Sequence, residues 1–119
     1  MTMRPRRIVA ATAAAIVAVG TTAWLAETAD AQDETDRGRA VYEYWCAPCH
    51  APGPGHPGTQ SLELKYDGSL PAVLLERTDL TPEAVKVFVR QGVLSMAPFR
   101  KTEITDADLD ALAAYVTRK

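Results

Sequence analysis

The 119-residue chain carries 13 Lys or Arg against 15 Asp or Glu, a formal net charge of −2. That length has room for one domain, and without a basic face nucleic acid is excluded as a partner. The two cysteines, Cys46 and Cys49, lie in one short segment, which leaves a disulfide, a metal site or a thioether-linked haem.

The chain opens on what reads as an export address. Arg4, Arg6 and Arg7 precede an uncharged run from Ile8 to Ala26, and Ala29-Asp30-Ala31 offers small residues at the spacing a signal peptidase reads. Residues 1–31 are therefore expected to be a signal peptide and 32–119 the mature domain. The competing reading is an uncleaved membrane anchor, disfavoured by the weak hydrophobicity and the cut site. The Arg6-Arg7 pair lacks the flanks of a twin-arginine signal, so a general secretory route to the periplasm is expected.

Removal of the leader leaves 88 residues with 10 basic and 13 acidic side chains. At this size an apolar core supplies only about 3 to 5 kcal/mol, so a staple is expected.

After a charged stretch from Gln32 to Thr35, the apolar positions Ala40, Val41, Tyr42, Tyr44 and Trp45 predict a helix over 36–45. Cys46-Ala47-Pro48-Cys49-His50 follows. Pro48, Pro52, Pro54 and Pro57 with three glycines then predict a constrained loop through Gly58. Leu62 to Tyr66 is apolar enough to pack, and Leu70 to Glu76 suggests a short helix entered at Pro71. Thr81, Pro82 and Glu83 form a helix start; Val85, Val87, Phe88 and Val89 are expected to supply its buried stripe, and Gly92 ends it. A loop from Val93 to Thr102 holds Met96 and Pro98. The last helix begins at Thr105, capped with Asp108, and buries Leu109, Leu112, Ala113, Tyr115 and Val116. Arg118 and Lys119 suit its C-terminal dipole.

Two cysteines three apart lie on one side of a helical turn, so both sulfurs can reach one flat group. The imidazole of His50 can then turn toward that group's centre. This is the pattern of c-type haem attachment, with Cys46 and Cys49 adding to the vinyl groups and His50 as proximal iron ligand. A thioredoxin-like dithiol would sit at a helix start after a strand, and no βαβ pattern is present. A zinc site would have to be built from Cys46, Cys49, His50 and His56 alone. For the sixth iron position Met96 is the one methionine of residues 32–119, with His56 as its rival. A carbonyl of Pro52, Pro54 or Pro57 is a candidate acceptor for the Nδ1 proton of His50.

With these residues in place, the mature chain resembles the class I c-type cytochromes. Gly38 and Tyr42, eight and four residues ahead of Cys46, match the glycine and aromatic of that family's first helix. Leu109 to Val116 looks like its last helix, which crosses the first at the glycine. Met96-Ala97-Pro98 departs from the family's usual Met-Pro, and Gly55-His56-Pro57-Gly58 from its tighter Gly-Pro loop. The resemblance implies an all-α cytochrome c fold of three to five short helices around one covalent haem c, with Met96 as distal ligand. The layout is also similar to the cytochrome subunits that serve periplasmic flavoprotein dehydrogenases such as p-cresol methylhydroxylase.

With both axial positions filled, the expectation is a periplasmic one-electron carrier. It would take electrons from a dehydrogenase and pass them to a terminal oxidase or another cytochrome. Ala47, Pro48, Ala97 and Pro98 are candidates for its contact rim. The alternative is a haem enzyme or gas sensor with an open sixth position.

Overall fold

Helix α1 spans Thr21–Val41 in the computed structural model of the chain, which describes residues 21–118, with side chains from residue 31 onward. The leader proposed for residues 1–31 lies mostly outside the described residues, and the cut after Ala31 would fall within α1. This helix begins well before the predicted Asp36. Between Thr21 and Arg37 there is no proline or glycine, and the Ala, Glu, Gln and Arg there carry little helical penalty. Among the described residues no helix is long and apolar enough to cross a membrane.

The backbone stays helical beyond α1 but widens into a π-helical turn at Tyr42–Cys46 before the single turn α2, Ala47–His50. Such insertions are rare and cluster at functional sites. Ala51 breaks into an extended conformation, and Gly53 and Gly55, at φ 92° and 88°, turn the chain as only glycine does readily.

The predicted loop is shorter than expected, because Pro57 starts helix α3, Pro57–Tyr66. Proline suits a first helical position, and Asp67 and Gly68, both left-handed, end the helix. Only Thr59 of α3 is fully buried; Leu64 points to solvent. The short helix expected at Leu70–Glu76 contracts to one 3-10 turn, Leu74–Glu76.

Helix α4, Pro82–Gln91, follows its predicted bounds. The Ala84 amide donates to the Thr81 hydroxyl at 3.2 Å, and Gly92 leaves the helix at φ 69°. Its buried stripe is narrower than expected. Val85 and Val89, one turn apart, are buried, whereas Val87 and Phe88 are exposed by 47% and 42%. One helix covers this face, and an i, i+4 pair suffices for it.

Helix α5, Asp106–Thr117, is capped as predicted: the Asp108 amide donates to Thr105 Oγ1 at 3.1 Å, and that hydroxyl donates to Asp108 Oδ2 at 2.6 Å. Leu109, Leu112, Ala113, Tyr115 and Val116 are all buried. The bonds of Thr105, and an ion pair with Arg37, hold the Asp108 carboxyl below the usual range. Arg118 donates to the Tyr115 carbonyl at 3.0 Å; Lys119 lies outside the described residues. There is no strand among the described residues, only an isolated bridge between Val93 and Met96, so the fold is all-α.

The long-range framework is α1 against α5 and α5 against α4. Gly38 sets the first crossing: a Cβ there would lie 2.2 Å from the Ala111 carbonyl oxygen and 2.7 Å from Tyr115 Cβ. The Arg37 guanidinium bonds Asp108 across the same interface at 2.7 Å. Because backbone sits opposite, the clash cannot be relieved by a rotamer change. Gly38→Ala is expected to cost about 3 kcal/mol, the upper part of the overpacking range, read as a lower midpoint in thermal unfolding.

Candidate functional site

The π-helical turn and α2 deliver Cys46, Cys49 and His50 in very different settings. Cys46 is buried in the core and Cys49 is exposed, and both are free thiols. Burial, helped by the neighbouring Cys49, pushes the Cys46 thiol up to about 12. A redox-active dithiol depends on a depressed thiol pKa, so the dithiol reading fits this chain poorly. No cluster of three or more His, Cys, Asp or Glu side chains able to hold a metal occurs among the described residues, which also disfavours the zinc alternative.

His50 is half-buried, and burial lowers its imidazole pKa, favouring the neutral form that ligates metals. The turn beneath it is fastened by Tyr42, whose hydroxyl donates to the His50 carbonyl at 3.2 Å. Tyr42 itself is locked against Tyr115 of α5, ring centroids 5.7 Å apart.

The loop after His50 is arranged differently from the prediction. His50 Nδ1 is buried without a hydrogen-bond partner among the described residues, so none of the Pro52, Pro54 and Pro57 carbonyls accepts its proton. The glycine turns carry that segment away, and two other bonds close the loop. His56 Nδ1 donates to the Pro48 carbonyl at 3.2 Å, and Thr59 Oγ1 donates to the Ala51 carbonyl at 3.0 Å. Gly58 packs against the imidazole so closely that a Cβ would sit 2.8 Å from His50 Cε1 and 2.9 Å from Nδ1.

Cys46 and His50 face an apolar cleft of about 170 Å³, part of it open to solvent. Leu62 and Tyr66 of α3 line one part, Leu74 and Leu80 another, and Phe88 with Val89 a third. Leu112 and Val116 of α5 also line it, and Met96 reaches it from the loop after α4. Three of the four predicted site residues thus share one apolar cleft. Cys49 is not among its lining residues, and neither is His56, which is engaged with Pro48.

Met96 is placed by a tight turn. Its amide donates to the Val93 carbonyl at 2.9 Å, and the Val93 amide donates to the Met96 carbonyl at 3.0 Å. Gly92 permits this: a Cβ there would meet the Met96 carbonyl oxygen at 2.5 Å and the Pro98 nitrogen at 2.9 Å. The rest of the loop packs through Phe99, edge-on to Trp45 at 5.6 Å between centroids.

Sequence reasoning overlooked Arg77, which lines the cleft with a side chain only 7% exposed. It bonds Asp79 through two nitrogens, at 2.6 and 2.5 Å, and stacks over the Tyr66 ring at 4.7 Å. Its charge is therefore already partnered. No local pattern marks such a residue, because its burial depends on a ring from α3.

The donor set suits the cofactor predicted from the sequence. A half-buried imidazole, a buried thiol and a thioether line one apolar cleft, donors of the kinds that hold a thioether-linked haem, while the second thiol, Cys49, lies outside that lining. A family model described as "Cytochrome C oxidase, cbb3-type, subunit III" matches residues 33–116. No curated protein and no solved structure matches the chain.

Proposed function

Because the chain belongs to this c-type cytochrome family, whose members carry covalent haem c in electron transport, we propose that it is a one-electron carrier with thioethers at Cys46 and Cys49 and iron ligands at His50 and Met96. The observation that carries this reading is the convergence of Cys46, His50 and Met96 on one apolar cleft. The haem supplies the Fe(III)/Fe(II) couple. Leu62, Leu74, Leu80 and Phe88 exclude water from it, and Gly58 fixes the ring plane of His50. The Met96 thioether together with the His50 imidazole would hold the iron, favour its reduced state and leave no place for substrate, which separates a carrier from a haem enzyme or gas sensor.

The carrier domain is residues 32–119, released from its leader and working in the periplasm. Supporting this are the arginine-flanked uncharged run and the small-residue cut site. A dehydrogenase is the donor in this reading. The acceptor is a terminal oxidase or another cytochrome, a choice supported by the oxidase named in the family's description. A flavoprotein donor of the p-cresol methylhydroxylase kind rests on resemblance of layout alone.

The test is production in a host equipped for haem attachment. A pyridine haemochrome spectrum with one c-type haem per chain and a reversible one-electron titration are expected. A colourless product with free thiols or a cystine would refute the reading.

A further inference from the structure

Arg90 bonds three acceptors spread over the connection from the Met96 loop to the start of α5. One of its terminal nitrogens donates to the Phe99 carbonyl at 3.1 Å; the other donates to the Ile104 carbonyl at 2.9 Å and to Asp106 Oδ1 at 3.0 Å. Those acceptors lie 9, 14 and 16 residues away along the chain. One guanidinium at the end of α4 thus ties the loop at Phe99 to Ile104, just beyond it, and to the first residue of α5. Beside it the Phe99 amide donates to the Val89 carbonyl at 2.8 Å, and Lys101 bonds the other oxygen of Asp106 at 2.7 Å.

The loop needs such a tether. From Gly92 to Lys101, only Gly92, Met96 and Phe99 are even partly buried, and Leu94 is 95% exposed in a left-handed conformation, φ 52°. A non-glycine residue held there is strained, and little apolar burial opposes its relaxation. The turn bearing Met96 is secured at its start by the end of α4 and at its far side by Val89 and Arg90.

We propose that Arg90 is the positioning residue for the distal ligand: its fork closes the loop on α4 and sets how readily the Met96 sulfur leaves the cleft. This rests on Met96 being the sixth ligand. A planar fork suits the role because its donors leave in fixed directions and can serve two carbonyls and a carboxylate together.

The test uses the mature haem protein and two variants, Arg90→Met, which keeps an apolar stem, and Arg90→Lys, which keeps the charge beside Asp106. Ferric protein is titrated with imidazole, which competes for the sixth position, and loss of the methionine-to-iron charge-transfer band is followed. One hydrogen bond from a charged donor is worth roughly a tenfold change in an equilibrium. Arg90→Met is therefore expected to bind imidazole about ten times more tightly than the parent, and Arg90→Lys to show most of that change. Thermal unfolding of the reduced protein, with the ligand engaged, is expected to move less. Parent-like imidazole affinity in both variants would overturn the proposal, as would a lysine variant indistinguishable from the parent. Should Arg90→Met fail to fold, Arg90→Lys alone decides. The parent protein is measured first: absence of the charge-transfer band there would refute Met96 as ligand, whereas a normal parent with unaffected variants would refute only the clamp.

Discussion

With Cys46 and Cys49 both changed to serine, the chain should emerge from a haem-attaching host without any porphyrin that survives denaturation. Serine is close to cysteine in size but cannot form the thioether, so the change removes the covalent step, with a hydroxyl buried at position 46 as its added cost. The structural effect should be equally large. The cleft is walled by Leu62, Leu74, Leu80, Phe88 and Val89, which would meet water if the cavity were unfilled, at roughly 25 cal/mol for each Å² of apolar surface left exposed. A domain of this size has only about 3 to 5 kcal/mol from its core to set against that loss. The double variant is thus expected to lose cooperative thermal unfolding along with its colour, read by circular dichroism and by mass spectrometry of the denatured chain. Haem that stays with the double-serine polypeptide through denaturation would show that these sulfurs are not the attachment points.

Met96→Ala should leave haem attachment intact while transforming the iron's behaviour. Truncation empties the sulfur from the cleft but leaves the turn, because the bonds between Val93 and Met96 are made by backbone atoms. Loss of the low-spin methionine signature in the absorption spectrum is expected. The midpoint potential should fall by something on the order of 0.1 V, a fraction of the roughly 0.8 V span that axial ligation controls. An added ligand such as imidazole should then bind without competition. An unaltered spectrum and potential would remove Met96 from the iron and return the open-position alternative to the front.

Much of this was readable from the chain because the informative signals are local. Thr81-Pro82 and Thr105 with Asp108 announce the starts of α4 and α5 through bonds within one turn, and the apolar period of α5 follows directly. The pentapeptide proposed for haem attachment is likewise contiguous, and Met96 is the one methionine in residues 32–119. What escaped depends on distance. Helix α3 has one fully buried residue, Thr59, hence no amphipathic stripe to detect, and its proline-glycine entry resembles a loop. Val87 looks like core in a list of apolar residues, yet α5 covers only the Val85 and Val89 face, and Phe88 lines the cleft instead. The hydrogen-bonding of His50 was misjudged because the direction of the loop is set by two glycines at positive φ, and sequence alone does not give that direction. Arg77 and Arg90 gain their roles from partners on other elements, which no spacing rule reaches.

The widened turn at Tyr42–Cys46 constrains how this protein can change in length. Each residue of an α-helix advances about 100° around its axis, and each residue of the wider turn somewhat less, so removing or adding one between Gly38 and Cys46, with no matching change in that turn, would swing the Cys46–His50 segment by about a quarter turn relative to the crossing fixed at Ala111. The sulfur of Cys46 would then leave the cleft while Gly38 stayed in its notch. Substitutions in this stretch can be absorbed by repacking, whereas an insertion or deletion would have to be taken up by tightening or widening this same turn, so the eight-residue interval between that glycine and that cysteine acts as a ruler for the whole domain.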